Sequence, residues 1–248
     1  METTESAKRI KLNRLDRELT ARRLVSTRSQ AENYIKLGLV KVNNKVVKKP
    51  GFAVTTEDKL ELVSEQYVSR AALKLASVAG QFKLDFRDSV VLDVGSSTGG
   101  FTDYTLQHGA KKVVAVDVGT EQLHPSLRDN LKVELHEKTD IRDFQSAPKF
   151  DYIVADVSFI SLTMILPGLV KFSSSKTLLI MMCKPQFEAG KNQINKGIVK
   201  NSAIRRAVLK DFESWLLQNG FKILDKADSH VAGTKGNVER FYKLQTRG

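Results

Sequence analysis

The chain has 248 residues, 41% of them hydrophobic, a formal net charge of +12 and one cysteine. That length accommodates one full α/β domain and a small extra module. A lone cysteine excludes a disulfide framework and any cysteine-based zinc site, and no apolar run nears the ~20 residues that span a bilayer. Charge is uneven: from Lys8 to Lys49 there are 13 Lys or Arg against 3 Asp or Glu, a local net of +10. A basic module joined to a nearly neutral domain points to a polyanion partner, nucleic acid first; a merely solubilising surface is the plainer alternative. The polar start, Met1 to Ser6, has no basic segment or apolar stretch of a secretory signal, so a soluble cytoplasmic protein is expected.

Residues 1–9 read as a disordered tail. Leu15, Leu19 and Leu24 define an amphipathic helix from about Leu12, with Arg14, Arg17, Arg22 and Arg23 on its other faces. Ser26 to Ser29 offers N-caps for a second helix, Gln30 to Leu37, stopped by Gly38. Val40 to Val42 and Val46-Val47 flank Asn43-Asn44, a hairpin signal. Pro50-Gly51 turns the chain, and Lys59 to Val63 closes it as a strand. The runs Arg14-Leu15-Asp16-Arg17-Glu18-Leu19, Arg28-Ser29-Gln30-Ala31 and Gly38 to Lys45 resemble the αL RNA-binding module of small-subunit ribosomal proteins and pseudouridine synthases. The resemblance implies that basic side chains meet RNA phosphates and shape, with Arg14, Arg22, Arg23, Arg28, Lys36 and, beyond the module, Arg70 as candidate contacts. The domain boundaries are 10–62 for this module, 63–68 for a linker and 69–248 for the second domain.

That second domain opens with Ser69 as a cap and an apolar stripe of Ala71, Leu75 and Val78, interrupted by Lys74; a lone lysine there ordinarily snorkels to solvent. Val90 to Val94 then runs into the turn Gly95-Ser96-Ser97-Thr98-Gly99-Gly100 and a helix from Phe101 to Gln107, as a buried parallel strand hands over to a helix in nucleotide-binding α/β units. Set on the dinucleotide pattern, the turn places Ser97 where a pyrophosphate needs the second glycine, so the ligand is not expected to be held by a pyrophosphate. Asp93, at the strand end, can take a ligand ammonium or a helix N-terminus. A second strand, Lys112 to Val118, carries Asp117, 22 positions after Gly95, close to where a ribose-binding carboxylate falls. Leu131 to Leu135 reads as a third strand, followed by Asp140-Ile141, where a polar side chain can meet an adenine edge. Phe150 to Phe159 is a fourth strand bearing Asp156. A helix from Ser161 to Phe172 follows, then a fifth strand, Thr177 to Cys183, ending in Lys184-Pro185. Residues 185–200 read as a mobile loop on the substrate side. A helix from Ser202 to Gln218, a Gly220 stop, and strands at Phe221 to Asp225 and Arg240 to Leu244 complete the chain. Ligands of open α/β sheets sit beyond the carboxyl ends of the strands; four such ends carry charge, which capping alone accounts for poorly.

The segments Ser69-Arg70-Ala71-Ala72-x-Lys74-Leu75, Gly95 to Phe101, Asp117, Ala155 to Leu162, Lys184 to Glu188 and Gly236-Asn237-Val238-Glu239 together resemble the TlyA (hemolysin A-like) family of ribosomal RNA 2′-O-methyltransferases, within the FtsJ-like group. The resemblance covers nearly the whole chain. It implies a Rossmann-like seven-stranded S-adenosylmethionine-dependent methyltransferase sheet behind a small N-terminal α+β RNA-binding domain, with the group's Lys-Asp-Lys-Glu tetrad on Lys74, Asp156, Lys184 and Glu239. S-adenosylmethionine would be held by Asp93, Gly95 to Phe101, Asp117-Val118 and Asp140-Ile141: the methionine end by the turn, the ribose by Asp117, the adenine by Asp140 and Ile141. Lys184 would orient and deprotonate a ribose 2′-hydroxyl. Lys74 disfavours a second ammonium nearby whereas Asp156 favours it, and the sequence leaves open which prevails. The implied substrate is cytidine in large-subunit rRNA, in some members small-subunit rRNA too; the short chain leans toward the large subunit alone. Its partner would be a ribosomal subunit, with no membrane and no metal. Three rival readings are an NAD-dependent oxidoreductase, opposed by Ser97; a non-catalytic RNA-binding or ribosome-assembly factor, opposed by the complete tetrad; and a pore-forming cytolysin, for which no membrane-spanning pattern speaks. Cys183 reads as a small core residue, and the four histidines lack metal-ligand spacing.

Overall fold

The computed structural model describes residues 12–25, 27–36, 38–63, 67–146, 149–194, 198–199, 201–231, 233 and 236–247. The expected tail, the middle of the expected linker (64–66), Leu37 and loop residues 195–197 and 234–235 lie outside them. The chain divides into two compact units between Gln66 and Tyr67.

In the first unit, α1 (Leu15–Ala21) and α2 (Arg28–Lys36) accompany a two-stranded pairing of β1 (Asn13–Arg14) with β4 (Ala53–Val54) and a three-stranded sheet of β2 (Val40–Val42), β3 (Lys45–Val46) and β5 (Leu60–Leu62). The first helix is shorter than its leucine spacing predicts. Asn13 and Arg14 are taken into the sheet against Val54 and Ala53, and at the other end Arg23 adopts φ 58°, which a helix cannot continue through. Asn43 and Asn44 both have positive φ, 49° and 67°, the conformation of a two-residue hairpin turn that asparagine tolerates.

The second unit is one seven-stranded sheet covered on both faces. Its strands are β6 (Val90–Val94), β7 (Lys112–Val116), β8 (Val133–His136), β9 (Tyr152–Ala155), β10 (Leu178–Cys183), β11 (Phe221–Asp228) and β12 (Arg240–Thr246), in the spatial order β11-β12-β10-β9-β6-β7-β8. The five strands from β10 to β8 pair parallel, and β12 pairs antiparallel with both β10 and β11. The helices are α3 (Arg70–Ala79), α4 (Gly100–Gln107), α5 (Pro125–Arg128), α6 (Leu162–Leu169), α7 (Pro185–Glu188) and α8 (Ser202–Gln218). The expected third strand starts two residues late because Leu131 is fully solvent-exposed. Residues 185–188 form the single-turn α7 where a loop is expected, since Pro185 fits the first helical turn.

Alternating residues of each central strand enter two separate cores. Leu179, Met181 and Cys183 join the α6 and α8 side, whereas Ile180 and Met182 join the α3 and α4 side. Burial on both faces explains why these strands read as unbroken apolar runs. At roughly 25 cal/mol per Å² of apolar surface, such two-sided burial is the main source of the domain's stability.

Candidate active site

The strand parity that builds the core also sorts the charges at the sheet's rim. Val154, Met182 and Phe241 all face the core under α3 and α4. Asp156 and Lys184 stand two residues after Val154 and Met182, and Glu239 two residues before Phe241 on the antiparallel β12, so by the period of two all three keep to the same face. The register of β10 on β12 ends at Cys183 opposite Arg240, so Lys184 and Glu239 leave the sheet side by side. Lys74, on α3, lies over that face. The four predicted residues form two ion pairs: Lys184 Nζ to Asp156 Oδ1 at 2.6 Å and Lys74 Nζ to Glu239 Oε2 at 2.6 Å. All four side chains are largely withdrawn from solvent. Each lysine therefore has its own carboxylate, and the repulsion expected from Lys74 is balanced by Glu239. Lys184 Nζ also donates to Ser158 Oγ at 2.7 Å and lies 5.9 Å from the centre of the Phe187 ring.

A cavity of about 370 Å³ opens beside Asp156 of the first pair, inside the ~300–1,000 Å³ range of small-ligand sites. Gly95, Ser97, Asp117, Val118, Asp140, Ile141 and Asp156 line it, so Asp156 borders both the cavity and Lys184. Gly95 holds φ 77°, and a Cβ there would stand 3.0 Å from the Asp156 carbonyl; the turn can lie against the end of β9 only without a side chain. Asp117 accepts from Ser97 N–H at 2.8 Å and Gly119 N–H at 2.7 Å, which fixes the carboxylate while leaving lone pairs for a diol. Ser97 Oγ donates to Gln122 Oε1 at 3.0 Å. Asp140 is gripped by the Arg142 guanidinium and by Arg142 N–H; the side-chain bond, the largest cause, holds its carboxyl below the ordinary range. Ile141, buried, supplies an apolar wall.

The other predicted turn residues stand elsewhere. Asp93 is buried below the turn, where Thr102 Oγ1 donates to it at 2.6 Å, so of its two expected roles it serves the start of α4. Burial pushes its carboxyl up to about 7, against the pull of Thr102 and with help from the negative Asp156 and Asp117. Phe101 does not face the cavity: its ring packs 6.0 Å from that of Phe241 in the core. Ser96, Thr98, Gly99 and Gly100 shape the turn without lining the cavity. Gly100 lets α4 meet α3, where a Cβ would come within 2.4 Å of Ser69 Oγ and 2.8 Å of Ala72 N. Ser69 heads α3 without the side-chain cap expected of it.

Residues that sequence reasoning missed include Gln122, Thr139, Ser158, Ile160 and Ile165, all in the cavity wall. Glu188 is another: it receives Ser161 Oγ–H and Leu162 N–H, tying α7 to the start of α6, and burial raises its carboxyl. Among the described residues no group of three His, Cys, Asp or Glu stands together as a metal site, and no helix is long and apolar enough to cross a membrane.

In the first unit, Asp16, fully buried, receives both Arg14 Nη2 at 2.9 Å and Arg28 Nε at 2.8 Å. Burial alone would raise the Asp16 carboxyl, but the two guanidinium bonds outweigh it and bring it to about 2. Both arginines remain about half exposed, and Arg28 Nη2 also lies 3.5 Å from Glu32 Oε1. Arg22 differs. It is held by Glu18 and by the carbonyls of Thr55, Thr56 and Asp58, so it closes the module's fold and is ill placed as a contact. Arg23 and Lys36 are exposed, as is Arg70 in the second unit.

A mostly parallel nucleotide-type sheet with a ligand cavity and lysine–carboxylate pairs at one rim, following a basic module in the chain, defines a two-domain methyltransferase. Residues 67–246 match the family model of the FtsJ-like methyltransferases and residues 13–60 that of the S4 domain. Among curated proteins, the chain is 44% identical to the 23S rRNA (cytidine-2′-O)-methyltransferase TlyA of Campylobacter jejuni, over 74% of this chain and 73% of that one. It is 36% identical to the 16S/23S rRNA (cytidine-2′-O)-methyltransferase TlyA of Mycobacterium tuberculosis, over 94% and 90%. A solved structure from Streptococcus thermophilus, described as a hemolysin, superposes with a TM-score of 0.70 at 37% identity, over 96% of this chain and 89% of the other. The chain belongs to the TlyA family of FtsJ-like methyltransferases.

Proposed function

We propose that this protein transfers a methyl group from S-adenosylmethionine to a ribose 2′-hydroxyl of ribosomal RNA, on cytidine, within a ribosomal subunit. The observation that carries the reading is Asp156, which lines the cavity and holds Lys184, so that the donor's site and the base share one residue. The cavity's fit to the cofactor rests on its donor set: a pinned Asp117 for the ribose diol, Ile141 and its neighbours for the adenine, and the Gly95–Ser97 backbone for the methionine end. When bound, S-adenosylmethionine supplies an electrophilic methyl on sulfonium sulfur.

A ribose hydroxyl is a weak nucleophile, so it must be aligned and relieved of its proton as attack proceeds. Lys184, after releasing its own proton to solvent, accepts the hydroxyl proton as the 2′-oxygen takes the methyl, which restores the ion pair with Asp156. Glu239 pairs with Lys74, so the Lys74 charge is cancelled locally and opposes the arriving proton less. Arg14, Arg23, Arg28 and Lys36 supply sequence-independent attraction to RNA phosphates.

The test is Lys184→Ala, assayed with undermodified ribosomal subunits and labelled S-adenosylmethionine. Cofactor binding by calorimetry should persist, while turnover falls by the roughly 10²–10⁴-fold that general base catalysis supplies. Near-normal turnover would remove Lys184 from this role.

A further inference from the structure

We infer that Ser158 is a positioning residue for methyl transfer, fixing the direction in which Lys184 presents its lone pair; the inference rests on the reading of Lys184 as the base. Ser158 Oγ stands 2.7 Å from Lys184 Nζ, and the same residue lines the cavity beside Asp156. A neutral lysine amine has two N–H bonds and one lone pair in tetrahedral arrangement. Asp156 Oδ1, at 2.6 Å, holds the nitrogen by charge and outside hydrogen-bond geometry, which by itself leaves rotation about Cε–Nζ free. Ser158 is the acceptor that takes one N–H bond; this stops the rotation and leaves two tetrahedral positions, of which the negative Asp156 disfavours the one that would turn the lone pair toward it. A serine hydroxyl suits this task because it accepts from the amine or the ammonium alike, so the contact survives the proton's arrival without adding a charge.

The backbone supports the assignment. Phe159, next in the chain, holds φ 66°, a left-handed conformation that is strained for a bulky residue and that clusters where geometry serves function. Its ring rests against Phe187 at 5.1 Å between centroids, and Glu188 of the same short helix bonds Ser161 and Leu162. The chain segments on either side of Ser158 and Lys184 are thus stitched together at three points, which holds the hydroxyl at bonding distance from Nζ.

The experiment compares Ser158→Ala, Ser158→Thr and Lys184→Ala in the full chain, with kcat measured on undermodified subunits and the S-adenosylmethionine Kd by calorimetry. Ser158→Ala should lower kcat about 10- to 100-fold, part of what a positioned base provides, with cofactor Kd within about threefold of the parent. Ser158→Thr, which keeps the hydroxyl, should return kcat to within about fivefold of the parent; a fault of folding or bulk would not be repaired by the larger side chain. If Ser158→Ala keeps its kcat while Lys184→Ala is inactive, the role of Ser158 falls and that of Lys184 stands. If Ser158→Ala weakens cofactor binding tenfold or more with kcat intact, Ser158 is a cofactor contact and the inference is overturned. An active Lys184→Ala overturns both.

Discussion

The Lys74–Glu239 pair offers a test in which stability and activity should separate. Both side chains are withdrawn from water, 13% and 4% exposed, with Nζ and Oε2 at 2.6 Å. Glu239→Ala removes the carboxylate and leaves Lys74 charged over the α3 face of the sheet, the situation in which breaking a buried pair costs about 3–5 kcal/mol. Each kcal/mol moves the melting temperature of a domain this size by about 2–4 °C, so the single variant should melt some 6–20 °C below the parent. Lys74→Met removes the stranded charge and refills its volume, and the double variant should recover most of that loss, because an apolar pair is often as stable as the ion pair it replaces. Methyl transfer should not recover with it, since the charge arrangement around Lys184 is gone. The assay is thermal unfolding of the four proteins of the cycle, read beside turnover. Equal melting of parent and Glu239→Ala would refute the reasoning, as it would mean that Lys74 reaches solvent at no cost.

Asp117→Ala should weaken S-adenosylmethionine binding about 10- to 100-fold in calorimetry, because the diol's acceptor and the staple on Ser97 and Gly119 vanish together. Gly100→Ala should destabilise the second unit by about 1–3 kcal/mol in urea unfolding, the ordinary cost of overpacking, as its Cβ meets Ser69 Oγ and Ala72 N. Asp93, raised to about 7 when folded, binds more protons folded than unfolded between about pH 4 and 7, so its burial costs progressively more stability as pH rises through that window. Asp93→Asn should therefore unfold at higher urea than the parent at pH 8, and at nearly the same urea at pH 4. Arg14→Ala or Arg28→Ala should each lower the salt slope of RNA binding by about one, whereas Arg22→Ala should lower stability first.

What the sequence made legible followed from periodicity and punctuation. The apolar runs ending in Asp156 and Lys184 gave the strands, Asn43-Asn44 gave the hairpin, and the Ser202–Gln218 helix matched residue for residue. The convergence of three of the four tetrad residues was also within reach, since 154/156, 182/184 and 239/241 are pairs of period two, and the same alternation that buries Val154, Met182 and Phe241 aims their neighbours at one face. What could not be read were choices made by partners distant in sequence. Leu131 counts as a strand former by composition, yet it lies beyond the register of β7 on β8, which begins at Val113 opposite Val133, and so faces water. Phe101 follows the glycines of the turn, but helix α4 rotates it toward Phe241. Arg22 and Arg28 look alike on the chain; one closes on carbonyls more than thirty residues away, and the other stands on Asp16 and Glu32 and stays half exposed. Which arginine is structural was decided by those carbonyls, and a carbonyl carries no mark of its partner in the sequence.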